Sequence, residues 1–172
     1  MLLTTRKMEN IFVTVGTTKF DTLIQSILDT RTLKVLKGFG CKKLKLQIGH
    51  GVFTPEDSMM EGVQISFYRF KDSIQQDLAE ADLVISHAGA GSCLETLELE
   101  KPLLAVINED LMNNHQFEVA KKLSDSKYLH YTTCGKLLET IQYIDFSSLR
   151  TYPKRDPKRF VKAIDCIMGF PT

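Results

Sequence analysis

Ile85-Ser86-His87-Ala88-Gly89-Ala90-Gly91-Ser92-Cys93-Leu94-Glu95-Thr96-Leu97-Glu98-Leu99-Glu100-Lys101 follows directly on the apolar pair Leu83-Val84. The stretch reads as a buried strand, a glycine-rich turn and the start of a helix running from about Gly91 to Glu98. A helix N-terminus built from small residues leaves backbone N–H groups free, and its dipole favours an anion such as a phosphate. A carboxylate one turn further on, Glu95, is placed to accept hydroxyls of a sugar. The stretch therefore fits a binder of nucleoside diphosphates. Ser92 and Glu95 also have the Ser-x-x-Glu spacing of a capping box, in which case the turn is only structural. Both readings put Glu95 in the first turn of the helix.

Two common phosphate motifs are excluded. The turn does not end in Gly-Lys-Ser/Thr, as a Walker loop does. Nor is it Gly-x-Gly-x-x-Gly, because position 94 is leucine, and it falls at the fourth or fifth strand where dinucleotide sites use the first.

Outward from this stretch, apolar runs and helical periodicities alternate. Residues 10–16 read as a strand ending in glycine, and Phe20, Leu23, Ile24, Ile27 and Leu28 repeat as one face of a helix. Residues 44–48 alternate as a strand that stops at Gly49-His50-Gly51, and 63–67 form another. Residues 73–81 fit a helix with Ser73 as N-cap and Ile74 and Leu78 facing inward. Residues 102–107 are continuously apolar, as in a strand covered on both faces. Residues 114–124 fit a helix with Phe117, Ala120 and Leu123 as its core stripe. Residues 127–131 read as a strand and 136–143 as a short helix. Thr151 to Pro157 reads as a loop, and a last helix carries Phe160, Val161, Ile164, Ile167 and Met168.

This order predicts βαβ units: one α/β domain over residues 1–172, with a doubly wound, mainly parallel, Rossmann-like sheet. Ligands in such sheets sit beyond the carboxyl ends of the strands. That selects Gly16-Thr17-Thr18, Gly49-His50-Gly51, His87 to Ser92 and Asn108 to Gln116. The amides and hydroxyls of Gly16, Thr17 and Thr18 suit a second anionic or polar group, or Thr17 or Thr18 simply caps the next helix. The run Asn108-Glu109-Asp110-Leu111-Met112-Asn113-Asn114-His115-Gln116 is polar for a loop between a buried strand and a helix. Its amides and imidazole suit recognition of neutral hydroxyls and an acetamide, unless it is a solvated loop with Asn113 or Asn114 as N-cap.

Composition narrows the classes further. The chain has 172 residues, 43% hydrophobic and 25% charged, as expected of one globular domain. A formal net charge of +1 exerts no overall pull toward nucleic acid or a membrane surface. No window approaches the roughly 18–20 apolar residues of a spanning helix, and the polar start predicts no secretory signal. Cys41, Cys93, Cys134 and Cys166 lack metal-ligand spacing and read as buried free thiols of a reducing compartment. No Asp-x-Asp pair or scattered-histidine cluster predicts a metal, and no cofactor is expected. A hydrolase triad is poorly supported: Ser86 and His87 are strand neighbours pointing to opposite faces, and no Gly-x-Ser-x-Gly elbow exists.

Four segments together carry a family resemblance: Phe12-Val13-Thr14-Val15-Gly16-Thr17-Thr18, Leu46-Gln47-Ile48-Gly49-His50-Gly51, residues 81–92, and Leu111-Met112-Asn113-Asn114-His115-Gln116. The chain resembles, from about residue 10 to its C-terminus, the small catalytic subunits of two-part UDP-N-acetylglucosamine transferases, which add the second sugar of the dolichol-linked oligosaccharide. It is more distantly similar to the C-terminal half of the bacterial transferase that makes the lipid-linked peptidoglycan precursor.

The resemblance implies a stand-alone GT-B donor-binding half-domain, with the acceptor half in a separate membrane-anchored subunit. It implies inverting β1,4 transfer of GlcNAc from UDP-GlcNAc to GlcNAc-diphospho-dolichol, by a cytoplasmic protein recruited to the cytosolic face of the endoplasmic reticulum. By the same resemblance, Gly89, Ala90, Gly91 and Ser92 hold the diphosphate with His87 close by. Glu95 takes the ribose hydroxyls, backbone near Phe70 meets the uracil, and Gly16, Thr17 and Thr18 lie on the cleft floor near the phosphates. Asn113, His115 and Gln116 then fall at the donor sugar. His87 and His115 are the candidate bases within the chain, although the bacterial relative implies a base in the other half. The helix over 157–170 either packs on its own domain or, as in GT-B folds, crosses to the partner. A non-enzymatic nucleotide-sugar module and a small nucleotide-sugar hydrolase are the other readings.

Overall fold

The computed structural model of the chain describes residues 7–111 and 114–154. Among these described residues, seven strands form one sheet: β1 (Asn10–Thr14), β2 (Lys43–Gln47), β3 (Ser58–Met60), β4 (Val63–Tyr68), β5 (Leu83–His87), β6 (Leu103–Ile107) and β7 (His130–Thr133). Their spatial order is β3-β4-β2-β1-β5-β6-β7. Every pairing is parallel except that of the edge strand β3 with β4. The glycine turn thus follows the fifth strand.

Successive strand residues point to opposite faces, so each strand feeds two cores. On one face Val13, Leu46 and Ile85 pack against α1 (Asp21–Leu28), α2 (Thr30–Gly38) and α6 (Leu137–Tyr143) through Leu23, Leu33 and Ile141. On the other, Phe12, Val84 and Ala105 meet α3 (Gln75–Glu80), α4 (Ala90–Glu98) and α5 (Asn114–Asp125) through Leu78, Leu97 and Ala120. All five residues of β5 and all five of β6 are buried; β6 is a continuous apolar run, while β5 also buries the polar Ser86 and His87. The sheet is doubly wound, as the alternation of elements predicts.

Neither helix α2 nor strand β3 is expected from the sequence pattern. Helix α2 buries only Thr32, Leu33 and Leu36, and the Asp29 carboxylate starts it by accepting from the Arg31 amide at 2.9 Å. Strand β3 is made by its turn: Met60 pairs with Val63 across Glu61 (φ 48°) and Gly62 (φ 74°). Two positive φ values in a two-residue loop belong to a type I′ hairpin, which matches the twist of the strands. Because this hairpin, and not a helix, connects β2 to β4, part of the sheet stays bare on the α3 side. A groove of about 540 Å³ lies there, lined by Asn10, Lys43, Lys45, Gln64 and Ser66.

Several local expectations are corrected. Helix α3 starts at Gln75 and not Ser73; Ile74 occupies the N-cap position, and Ser73 Oγ accepts from the Gln75 amide at 3.2 Å. Phe117 is not a core residue of α5: it is 42% exposed and meets Tyr131 edge-on at 5.8 Å, while Ala120 is buried. Strand β7 begins at His130 and not at 127, because Lys127 takes a positive φ of 61° in the turn that closes α5. Helix α6 begins at Leu137, after a 3₁₀ turn over Cys134–Lys136. The expected helix over 157–170 and Cys166 lie outside the described residues.

Candidate functional site

From β1 the chain builds outward through β2, β4 and β3 on one side and through β5, β6 and β7 on the other. The order therefore reverses between β1 and β5, and the crevice at their carboxyl ends is where an open α/β sheet takes a ligand. Strand register aligns Thr14 with Ser86, so the turn after β1 and the turn after β5 open beside each other.

The β5 side supplies the helix N-terminus. Helix α4 begins at Ala90, with Gly89 as N-cap (φ −70°, ψ 127°) and no side-chain cap. The first helical amide with a partner is that of Cys93, which donates to Gly89 O at 3.0 Å. The amides of Ala90, Gly91 and Ser92 have no partner among the described residues and form the expected anion cradle. This excludes the capping box. Ser92 is already the third residue of the helix and cannot be its cap. The first turn carries no acidic residue, and Glu95 lies in the second. Glu95 accepts instead from Gln75 Nε2 at 3.3 Å, on the α3 side.

His87 sits at the join of the two turns and is 9% exposed. Its Nδ1 lies 3.4 Å from Thr14 O; a carbonyl only accepts, so Nδ1 carries the hydrogen. A Cβ on Gly16 would come within 2.9 Å of the ring, and one on Gly89 would overlap it. Both glycines make room for the imidazole. Burial holds the His87 pKa below the usual histidine range, with the Thr14 carbonyl partly opposing it. The neutral ring is therefore favoured at pH 7.

The β1 side supplies a turn with left-handed Gly16 (φ 61°). Thr18 Oγ1 donates to Val15 O at 2.8 Å, and Thr17 and Thr18 are exposed. Neither caps α1, which starts at Asp21 with Phe20 in the N-cap position and no side-chain cap.

Gly49-His50-Gly51 lies against this turn, and two residues not foreseen from the sequence hold it there. Arg69 donates to Gly49 O at 3.1 Å and to Gly51 O at 2.8 Å. Asp21 accepts from the amides of Val52 at 3.0 Å and Phe53 at 3.2 Å. An acid at a helix start and a base after a strand are too common to signal such roles. Phe70, after β4, is 47% exposed with its ring 4.7 Å from that of His50.

Beyond β6, His115 is exposed on the first turn of α5, with Nδ1 3.9 Å from Glu118 Oε2, and Gln116 is half-buried. Asn113 lies outside the described residues, and α5 begins at Asn114. No set of three or more His, Cys, Asp or Glu among the described residues could hold a metal. Cys41 and Cys93 are buried with pKa values raised by burial to about 12; Cys134 is half-buried and raised to about 11.

Residues 10–167 match the glycosyltransferase family 28 C-terminal domain. The chain belongs to this family. It is 54% identical over 130 residues to the Homo sapiens UDP-N-acetylglucosamine transferase subunit ALG13, a match covering 76% of this chain and 11% of that protein. The chain thus spans about a tenth of the length of that relative. An NMR solution structure of ALG13 superposes with a TM-score of 0.66 at 25% identity, covering 91% of this chain and 95% of that one. Acinetobacter baumannii MurG superposes with the same TM-score at 18% identity, over 95% of this chain and 50% of its own. The fold is the Rossmann-like half of a GT-B glycosyltransferase.

Proposed function

We propose that the chain is the donor-binding subunit of an inverting N-acetylglucosaminyltransferase, moving GlcNAc from UDP-GlcNAc to GlcNAc-diphospho-dolichol with a β1,4 bond. The observation that carries this reading is the uncapped N-terminus of α4 beside His87 and the β1 turn, at the β1/β5 reversal. The diphosphate lies on the amides of Ala90, Gly91 and Ser92, with Gly89 letting the backbone approach. Gly16, Thr17 and Thr18 face it from β1. Glu95 accepts the ribose hydroxyls, the backbone by Phe70 meets the uracil, and Asn113, His115 and Gln116 take the sugar.

Inverting transfer needs a stabilised leaving group, a deprotonated acceptor and a positioned donor. The chain supplies the first and third. Charge growing on the leaving diphosphate is met by backbone donors and the helix dipole, each donor contributing roughly 2.7–4 kcal/mol by analogy with oxyanion-hole deletions. The base and the acceptor site belong to a membrane-anchored partner, which recruits the chain to the cytosolic face of the endoplasmic reticulum. The segment 157–170 provides contact with that partner. No helix among the described residues is long and apolar enough to cross a membrane.

Co-expression with the membrane-anchored subunit and an assay on a GlcNAc-diphospho-lipid tests the reading. Activity only with both subunits supports it. UDP-GlcNAc binding without transfer in the pair would leave a nucleotide-sugar module, and release of free GlcNAc by the chain alone would make it a hydrolase. A pH–rate profile of His115→Gln unchanged from the parent excludes His115 as the base.

A further inference from the structure

We infer that His50 is a positioning residue for the diphosphate, acting through the backbone of the β1 turn; the inference rests on the donor site proposed above. The imidazole Nδ1 meets Thr17 O, a carbonyl, so Nδ1–H is the donor. The His50 amide donates to Thr18 O at 3.0 Å. Two successive carbonyls of the turn are thereby turned toward β2. Peptide planarity couples each carbonyl to the N–H of the following residue, so fixing these two oxygens fixes the amides of Thr18 and Lys19. Thr18 N already donates to Val15 O at 3.2 Å and closes the turn. The side chains of Thr17 and Thr18 are exposed, and the one of Thr18 also braces the turn through its hydroxyl, which donates to Val15 O at 2.8 Å.

The clamp is itself braced. At Gly49 (φ 54°) a Cβ would strike Thr18 O, and at Gly51 it would strike the Asp21 carboxylate, so the loop approaches this closely only because both residues are glycine. Arg69 ties the carbonyls of Gly49 and Gly51, and Asp21 ties the amides of Val52 and Phe53. His50 is exposed, and the Phe70 ring lies at a 56° tilt to its imidazole with the centroids 4.7 Å apart. His50 therefore links the residue at the base end of the site to the turn at the phosphate end.

The test uses the 172-residue chain with three probes, UDP-GlcNAc, UDP and uridine, titrated by NMR shift perturbation. His50→Ala removes the side-chain donor. His50→Asn keeps one, because its amide nitrogen falls near the position of Nδ1. The expected result is a two- to tenfold loss of affinity for UDP and UDP-GlcNAc in His50→Ala, the range for one neutral hydrogen bond. Uridine binding stays within twofold, and His50→Asn restores most of the diphosphate affinity. Unchanged UDP affinity in His50→Ala overturns the inference and leaves the donor site standing. Equal losses in both variants, or an equal loss for uridine, overturn it as well, since they assign the effect to ring packing on Phe70. Failure of the parent chain to bind UDP or UDP-GlcNAc removes the donor site and the inference with it.

Discussion

The imidazole of His87 fills the space that a Cβ on Gly89 would occupy. One residue thus explains why the turn after β5 needs glycine at a position whose φ of −70° any residue can adopt. The ring reaches from this turn to Thr14 O and so joins the two strands on either side of the order reversal.

Gly89→Ala is expected to lower stability by about 1–3 kcal/mol, the usual cost of overpacking a filled site. Removing the ring as well, in Gly89→Ala/His87→Ala, recovers part of that loss, because the two substitutions share one space. Denaturant melts of the four proteins in the cycle check this. Additive losses would mean that the two residues do not compete.

Glu95 is half-exposed and lies beyond the first turn of α4, and its carboxylate bonds only Gln75 among the described residues. Glu95→Ala is therefore expected to leave the melting temperature within a degree or two. It should weaken UDP binding by about ten- to a hundredfold, the range for hydrogen bonds to a charged acceptor. Calorimetry with UDP reads the affinity. Parent-like binding would remove the ribose role.

Asp77 is buried, and Lys45 at 2.7 Å, Lys71 at 2.8 Å and the Tyr68 hydroxyl at 2.6 Å all bond its carboxylate. Burial alone would raise its pKa, but these hydrogen bonds outweigh it and hold the carboxyl below the ordinary range. A folded pKa below the unfolded value stabilises at pH above the unfolded value, about 3.9, and the contribution fades as acid titrates the folded group. Asp77→Asn should cost about 2–3 kcal/mol at pH 7. It should also flatten the loss of stability below about pH 4. Urea melts at pH 7 and across the acid range separate the two effects.

His87 carries the same proton preference as Asp77, in a higher pH range. Burial lowers its folded pKa, so the unfolded chain binds the proton more readily. Stability is then full above the unfolded value, about 6.5, and declines as the pH falls through it toward the folded value. His87→Gln should be less sensitive than the parent between about pH 6.5 and 5. An unchanged slope in thermal melts over that range would assign the effect to other groups.

What the sequence determined by itself was periodic or local. The apolar run Leu83-Val84-Ile85 announced a buried strand, the continuous run over 102–107 announced one covered on both faces, and the three- and four-residue spacing at Leu23, Ile24 and Ile27 announced α1, because burial on one face imposes that repeat. Gly89-Ala90-Gly91 announced a turn and a helix start, with an open N-terminus and a capping box as the two readings. Four ordered segments also sufficed for the family resemblance, and residues 10–167 match the family model.

The tertiary structure alone decided what depends on distant partners. Ser92 and Glu95 have capping-box spacing, yet the helix starts two residues earlier and Glu95 turns to Gln75, twenty residues away in sequence. Strand β3 depends on a two-residue I′ turn and on β4, and its three residues carry no periodicity of their own. Arg69, Asp21 and His50 gain their roles from a loop that strand order brings beside β1. The crevice itself exists because β1 pairs with both β2 and β5, a reversal set by which packing buries both faces of the sheet and not by any residue within it.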